Sequence, residues 1–120
     1  MAGNITDDQV HLWLQGIADA AYVSLHFTTP ALDGVGYNEI SGGGYMRALT
    51  PFSQPANRTI WSLDDARFTG LLQNQLTHFG IWNTATGGLL VAYGELPTAV
   101  VITSGQGYIL KGGDLAISFG

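Results

Sequence analysis

Apolar residues at Val10, Trp13, Leu14, Ile17, Ala18 and Ala21 recur at the three- and four-residue spacing of a helix. His11, Gln15 and Asp19 fall on the opposite side. Thr6 followed by Gln9 forms a capping box, and Asp7 and Asp8 occupy the first turn, where the helix dipole favours negative charge. The pattern predicts an amphipathic helix over residues 6–21. Beyond Ala21 the period changes. Tyr22–Thr29 is rich in β-branched and aromatic residues and is stopped by Pro30.

From there the chain reads as short strands between glycines. Predicted strands cover Tyr45–Thr50, Arg58–Leu63, Leu76–Trp82, Leu89–Tyr93, Ala99–Thr103, Gly107–Leu110 and Asp114–Phe119. Thr77–Trp82 is apolar on both parities, which suits a central strand, and Ala85–Gly88 is its expected hairpin turn. Gly112-Gly113 is the expected two-residue turn of a closing hairpin. In its last strand Leu115, Ile117 and Phe119 alternate with small or polar residues. Asp64–Gln75 fits either a helical turn or a strand pair. The expectation is one domain over residues 1–120: an N-terminal amphipathic helix, then a mainly β unit over 22–119, built as a single antiparallel β-sandwich or barrel-like domain.

Composition sharpens this. Of 120 residues 46% are hydrophobic, and 11% are charged against about 25% in an average soluble domain. Scaling gives a folded monomer of this mass a surface of roughly 6,200 Å², so charge is sparse and part of the surface is expected to be covered by a partner. A net charge of −5 with four Lys plus Arg leaves no basic stripe for a nucleic-acid backbone. No apolar run approaches the roughly 20 residues of a membrane span, and Met1–Asp8 lacks the features of a signal peptide. With no cysteine, disulfides and thiolate chemistry are excluded.

Catalytic and metal constellations are weak. His11, His26 and His78 stand at no metal-ligand spacing from Glu39, Asp64, Asp65 or Glu95, and His26 and His78 read as hydrogen-bonded strand residues. Glu39, Glu95, Asp64 and Asp65 are the candidates for a glycosidase pair, which needs carboxyls about 5–9 Å apart; Glu39 lies beside a Gly-rich loop and Glu95 follows a strand. Ser24, Ser41, Ser53, Ser62, Ser104 and Ser118 lack a nucleophile elbow. Ser41–Gly44 lacks the lysine of a phosphate loop and reads as glycines supplying a tight turn. Asp64-Asp65 reads as a solvated turn rather than part of a calcium site. Trp13 and Trp82 are expected in the core, and Trp61 at the surface. No catalytic residue, metal or cofactor is expected.

Several strings then resemble a known family: Val23–Pro30, Asn38–Arg47, Thr77–Asn83, Thr86–Leu90, Tyr93–Leu96 and Gly112–Ile117, in that order. The set, over residues 22–119, is similar to small virion proteins of tailed bacteriophages often described as tail-fibre proteins. The resemblance implies a compact β domain in the virion without enzymatic activity, and the N-terminus without signal-peptide features adds the expectation that it is made in the host cytoplasm. Phe27 departs from it, where a smaller polar residue is expected. The chain has no repeat, no heptads and no tip separate from an anchor, which favours a capsid decoration protein cementing the head lattice over a tail-associated fibre or baseplate module. Expected partners are the major capsid protein and copies of itself, with a trimer as the guess, and no nucleic acid or membrane. Leu32, Val35, Tyr37, Phe52 and Trp61, apolar residues on loops and strand ends, are the candidate contacts.

Overall fold

A computed structural model describes residues 6–19, 21–30, 38–88 and 90–118. Among the described residues helix α1 spans Asp7–Asp19 and is followed by eight strands: β1 Tyr22–His26, β2 Ala48–Leu49, β3 Thr59–Trp61, β4 Ala66–Leu71, β5 Asn74–Trp82, β6 Leu90–Ile102, β7 Gln106–Leu110 and β8 Ala116–Ser118. The fold is mainly β with antiparallel sheets and one N-terminal helix. Strand pairing among the described residues gives one four-stranded sheet, ordered β2-β1-β5-β6, and two ribbons, β3-β8 and β4-β7.

The helix begins where its cap requires, with the Gln9 amide donating to Thr6 Oγ1 at 3.2 Å. Val10 and Leu14 are fully buried, and Ile17 and Ala18 pack against the same core. Ala21 is buried but lies outside the helix. Trp13 stands 43% exposed, contrary to the core position that its spacing suggests. The stripe is wider than the surface that the β unit offers it, and Trp13 falls on its margin.

Strand β5 is central, as its two-sided apolar pattern predicts. It pairs with β1 through Tyr22–Trp82 to His26–His78, and with β6 on its other side. Val23, Leu25, Phe79 and Ile81 on one face enter a core cluster that also takes Ile60, Phe68, Leu71, Leu96, Ile102, Leu110 and Leu115.

Three expectations are corrected. In place of separate strands at Leu89–Tyr93 and Ala99–Thr103 there is one 13-residue strand, β6, running from Leu90 to Ile102 across Pro97. Its register against β5 shifts between Leu76–Val100 and His78–Glu95, so Leu96–Ala99 bulge and Pro97 escapes the ladder. Second, Gly112-Gly113 does turn the chain, the Asp114 amide bonding Lys111 O at 3.0 Å, but β7 and β8 do not form a hairpin. Strand β7 pairs with β4 and β8 with β3. The Gly113 amide bonds Ser62 O at 2.7 Å and a Cβ on Gly112 would lie 2.6 Å from Leu63 O. These distant contacts pull the turn away from β7. Third, Tyr45–Thr50 supplies only the two-residue β2. Asp64–Gln75 is extended, forming β4 and the start of β5, but the two pair with other strands rather than each other.

Candidate functional site

The richest polar chemistry lies on the face of the four-stranded sheet that turns away from this core. Residues 38–40 run beside β1, with Phe27 N bonding Asn38 O at 3.3 Å and Ile40 N bonding Leu25 O at 3.0 Å. Glu39 thereby stands opposite His26. The chain then doubles back through Gly42–Gly44, pressed against β4: a Cβ on Gly43 would lie 2.5 Å from Gly70 O, and one on Gly44 2.8 Å from Thr69 O. The turn returns Tyr45 and Arg47 to Glu39.

Arg47 grips Glu39 with both arms, Nε to Oε2 and Nη2 to Oε1, each at 2.9 Å. Its Nη1 donates to Thr84 O at 3.1 Å and Gly87 O at 2.8 Å, tying down the loop after β5. The two charged side chains are 8% and 13% exposed. Tyr45 donates its hydroxyl to Glu39 Oε2 at 2.5 Å and accepts from the Leu25 amide at 3.2 Å. That hydroxyl completes the β1 edge at Leu25, between β2 and residues 38–40. Burial pushes the Tyr45 hydroxyl well above the usual tyrosine range; the hydrogen bond to Glu39 and its negative charge push the same way, against the Leu25 amide and Arg47. Between the Gly-rich turn and the loop at 85–87 lies a cleft of about 540 Å³, lined by Glu39, Ser41, Tyr45, Met46, Arg47 and Thr86 among others. Its paired charges cancel, and the groups at its floor are already committed to one another.

Under this cluster runs a second network. Trp82 Nε1 donates to Ser24 Oγ at 2.8 Å, and Ser24 Oγ lies 2.7 Å from His26 Nε2. The indole can only donate, so Ser24 Oγ accepts from it, and the direction of the Ser24–His26 bond follows the histidine tautomer. A serine–histidine contact is the geometry of a hydrolase nucleophile, and sequence spacing gave no sign of it. Here both residues are 0% exposed and Trp82 is 3% exposed, so no substrate reaches the hydroxyl. The network cross-links β1 and β5.

The remaining candidates fare similarly. Glu39, His26, His78 and Glu95 form one row across neighbouring strands. The outer carboxylates are therefore three strand spacings apart, about 14 Å, beyond the range of a glycosidase pair. Among the described residues no group of three His, Asp or Glu converges on a metal position. His78 contacts Thr77 Oγ1 through Nδ1 at 2.8 Å. Asp65 accepts from the Gly112 amide at 2.9 Å and pairs with Arg67 and Lys111 at 3.2 and 3.8 Å, so it braces a turn. Of the candidate contacts, Leu32, Val35 and Tyr37 lie outside the described residues. Phe52 is 7% exposed and belongs to the core cluster, whereas Trp61 is 38% exposed on β3.

Compared with known proteins, residues 17–118 match the family model Gp80, described as podophage GP4 fiber I protein gp80. No curated protein matches the chain.

Proposed function

This chain belongs to the Gp80 family of podophage fiber I proteins, and from that premise we propose that it works as a subunit of a virion fibre, by binding its neighbours and without catalysis. The observation that carries the reading is the family match, which spans helix α1 from Ile17 and all eight strands. The site chemistry supports it: Arg47, Glu39 and Tyr45 satisfy one another, and Ser24 and His26 are sealed beneath them. These groups stiffen a module rather than turn over a substrate. No helix among the described residues is long and apolar enough to cross a membrane.

Repetition is the physical principle of such a part. Each contact of standard size covers on the order of 800 Å² per partner, and copies held in register multiply weak contacts through avidity. Sparse charge and exposed apolar side chains such as Leu12, Leu49 and Trp61 suit surfaces that face other subunits. The head-lattice position expected from the sequence draws on the same features, and the word fibre in the family description favours the tail.

Gold-labelled antibody against this chain on intact particles tests the reading. Labels on fibres, at a few to a few dozen copies per particle, are expected. Labels over the head at hundreds of copies would instead establish the decoration role.

A further inference from the structure

We propose that the outer edge of β6 is a pairing site for a second copy of this chain, the two β6 strands meeting antiparallel about a twofold axis. The four-stranded sheet has two edges, β2 and β6. The β2 edge is two residues long, and the rest of β1 is closed by residues 38–40 and the Tyr45 hydroxyl. Strand β6 is 13 residues long, and no strand among the described residues pairs with its outer side. Natural edges of that length are guarded by charged side chains, lysine above all, by proline or by bulges. Leu90–Ile102 contains neither Lys nor Arg, and Glu95 is its one charge. Val91 and Tyr93 are 42% and 52% exposed on the same stretch.

The guards that β6 does carry fix where pairing occurs. Pro97 and the bulge at Leu96–Ala99 interrupt its middle, which confines a ladder to the stretch before Leu96 and prevents open-ended growth. An antiparallel partner of the same sequence suits that short edge, because one self-complementary contact closes the assembly. Charge selects the register. A twofold axis at Glu95 sets like charges face to face, and one at Tyr93 sets Glu95 against Val91. An axis at Ala92 sets Val91 against Tyr93 of the second copy twice over, the favourable β-branched–aromatic pair. The edge is short, so the contact belongs to the weak, concentration-dependent class.

Sedimentation velocity of the full chain over about 5–500 µM is expected to show a monomer–dimer equilibrium. Val91→Lys with Tyr93→Lys is expected to weaken it at least about tenfold, with the thermal melt kept near wild type because both side chains are exposed. Leu12→Lys, on the exposed face of α1, is expected to leave it unchanged. A wild-type monomer throughout, or a dimer that survives the β6 lysines, overturns the proposal. The chain has no cysteine, so Val91→Cys and Tyr93→Cys proteins mixed under mild oxidation report the register. Cross-links between the two variants are expected, and equal cross-linking of either alone overturns the Ala92 axis. Neither outcome depends on where the subunit sits on the particle.

Discussion

The Arg47 guanidinium lies over Trp82, its central carbon 3.7 Å from the ring centroid. The same group holds Glu39 by two 2.9 Å bonds, so one side chain joins the Gly-rich turn, the sheet and the loop after β5. Removing one partner of a buried pair strands the other, at a cost of about 3–5 kcal/mol. Arg47→Ala is expected to lose about that much in urea unfolding. Arg47→Lys keeps the charge but not the planar fork, and is expected to fall between Ala and wild type. An Arg47→Ala protein with wild-type stability would reduce the cluster to decoration.

Tyr45 makes the fold sensitive to alkali. Its hydroxyl is raised above the ordinary value near 10, chiefly by burial. The folded protein keeps that proton at a pH where the unfolded chain releases it. The stabilisation is complete below about pH 10 and is lost as pH rises further. Tyr108 is shifted the same way, by burial and then by Asp114. The urea midpoint is expected to be level up to about pH 10 and to fall beyond it. Tyr45→Phe removes two hydrogen bonds, costing about 1–3 kcal/mol at neutral pH, and should flatten the alkaline limb, leaving the Tyr108 part. A limb as steep in Tyr45→Phe as in wild type would clear Tyr45 of the effect.

Phe52 and Trp61, equivalent as apolar strand-end residues in the sequence, separate in the fold. Phe52 is 7% exposed within the core cluster, so Phe52→Ala is expected to cost about 3–5 kcal/mol. Trp61 is 38% exposed, and Trp61→Ala is expected to be milder, within about 2 kcal/mol, while weakening attachment to the particle if β3 faces a neighbour. Comparing melts with incorporation into virions checks both. Trp61→Ala incorporated as well as wild type would remove it as a contact.

What was legible follows from how local each signal is. The Thr6–Gln9 cap and the Val10–Leu14 stripe are written in adjacent turns, and β5 announces itself by being apolar on both parities, as its burial from Phe79 to Trp82 bears out. The closing hairpin misled because a glycine pair states that the chain turns, not which strand it then meets. Ser62 and Leu63, about fifty residues earlier, decide that. Likewise Pro97 reads as a strand end, and only the bulge opposite Leu76–His78 lets β6 continue. The Arg47–Glu39–Tyr45 cluster had one faint sign, charged residues flanking a Gly-rich turn. Ser24 and His26 showed only strand spacing, since their partner Trp82 is 58 residues away.

Two glycines test opposite consequences of the same substitution. A Cβ on Gly80 would lie 2.6 Å from Ser24 Oγ, 2.7 Å from His26 Nε2 and 2.8 Å from Leu90 Cδ1. All are too close, and the first two belong to the buried network, which has no slack to retreat. Gly80→Ala is therefore expected to cost about 1–3 kcal/mol or more and to perturb the Trp82 fluorescence, because the indole loses its place on Ser24. Gly16 lies inside α1 on the exposed side with nothing within 4 Å of an added Cβ. There alanine removes unfolded-state freedom without a clash, and Gly16→Ala is expected to gain about 0.5–1 kcal/mol. Thermal melts of the two variants should move in opposite directions. A Gly80→Ala protein as stable as wild type would mean that the Ser24–His26–Trp82 contacts are looser than their distances state.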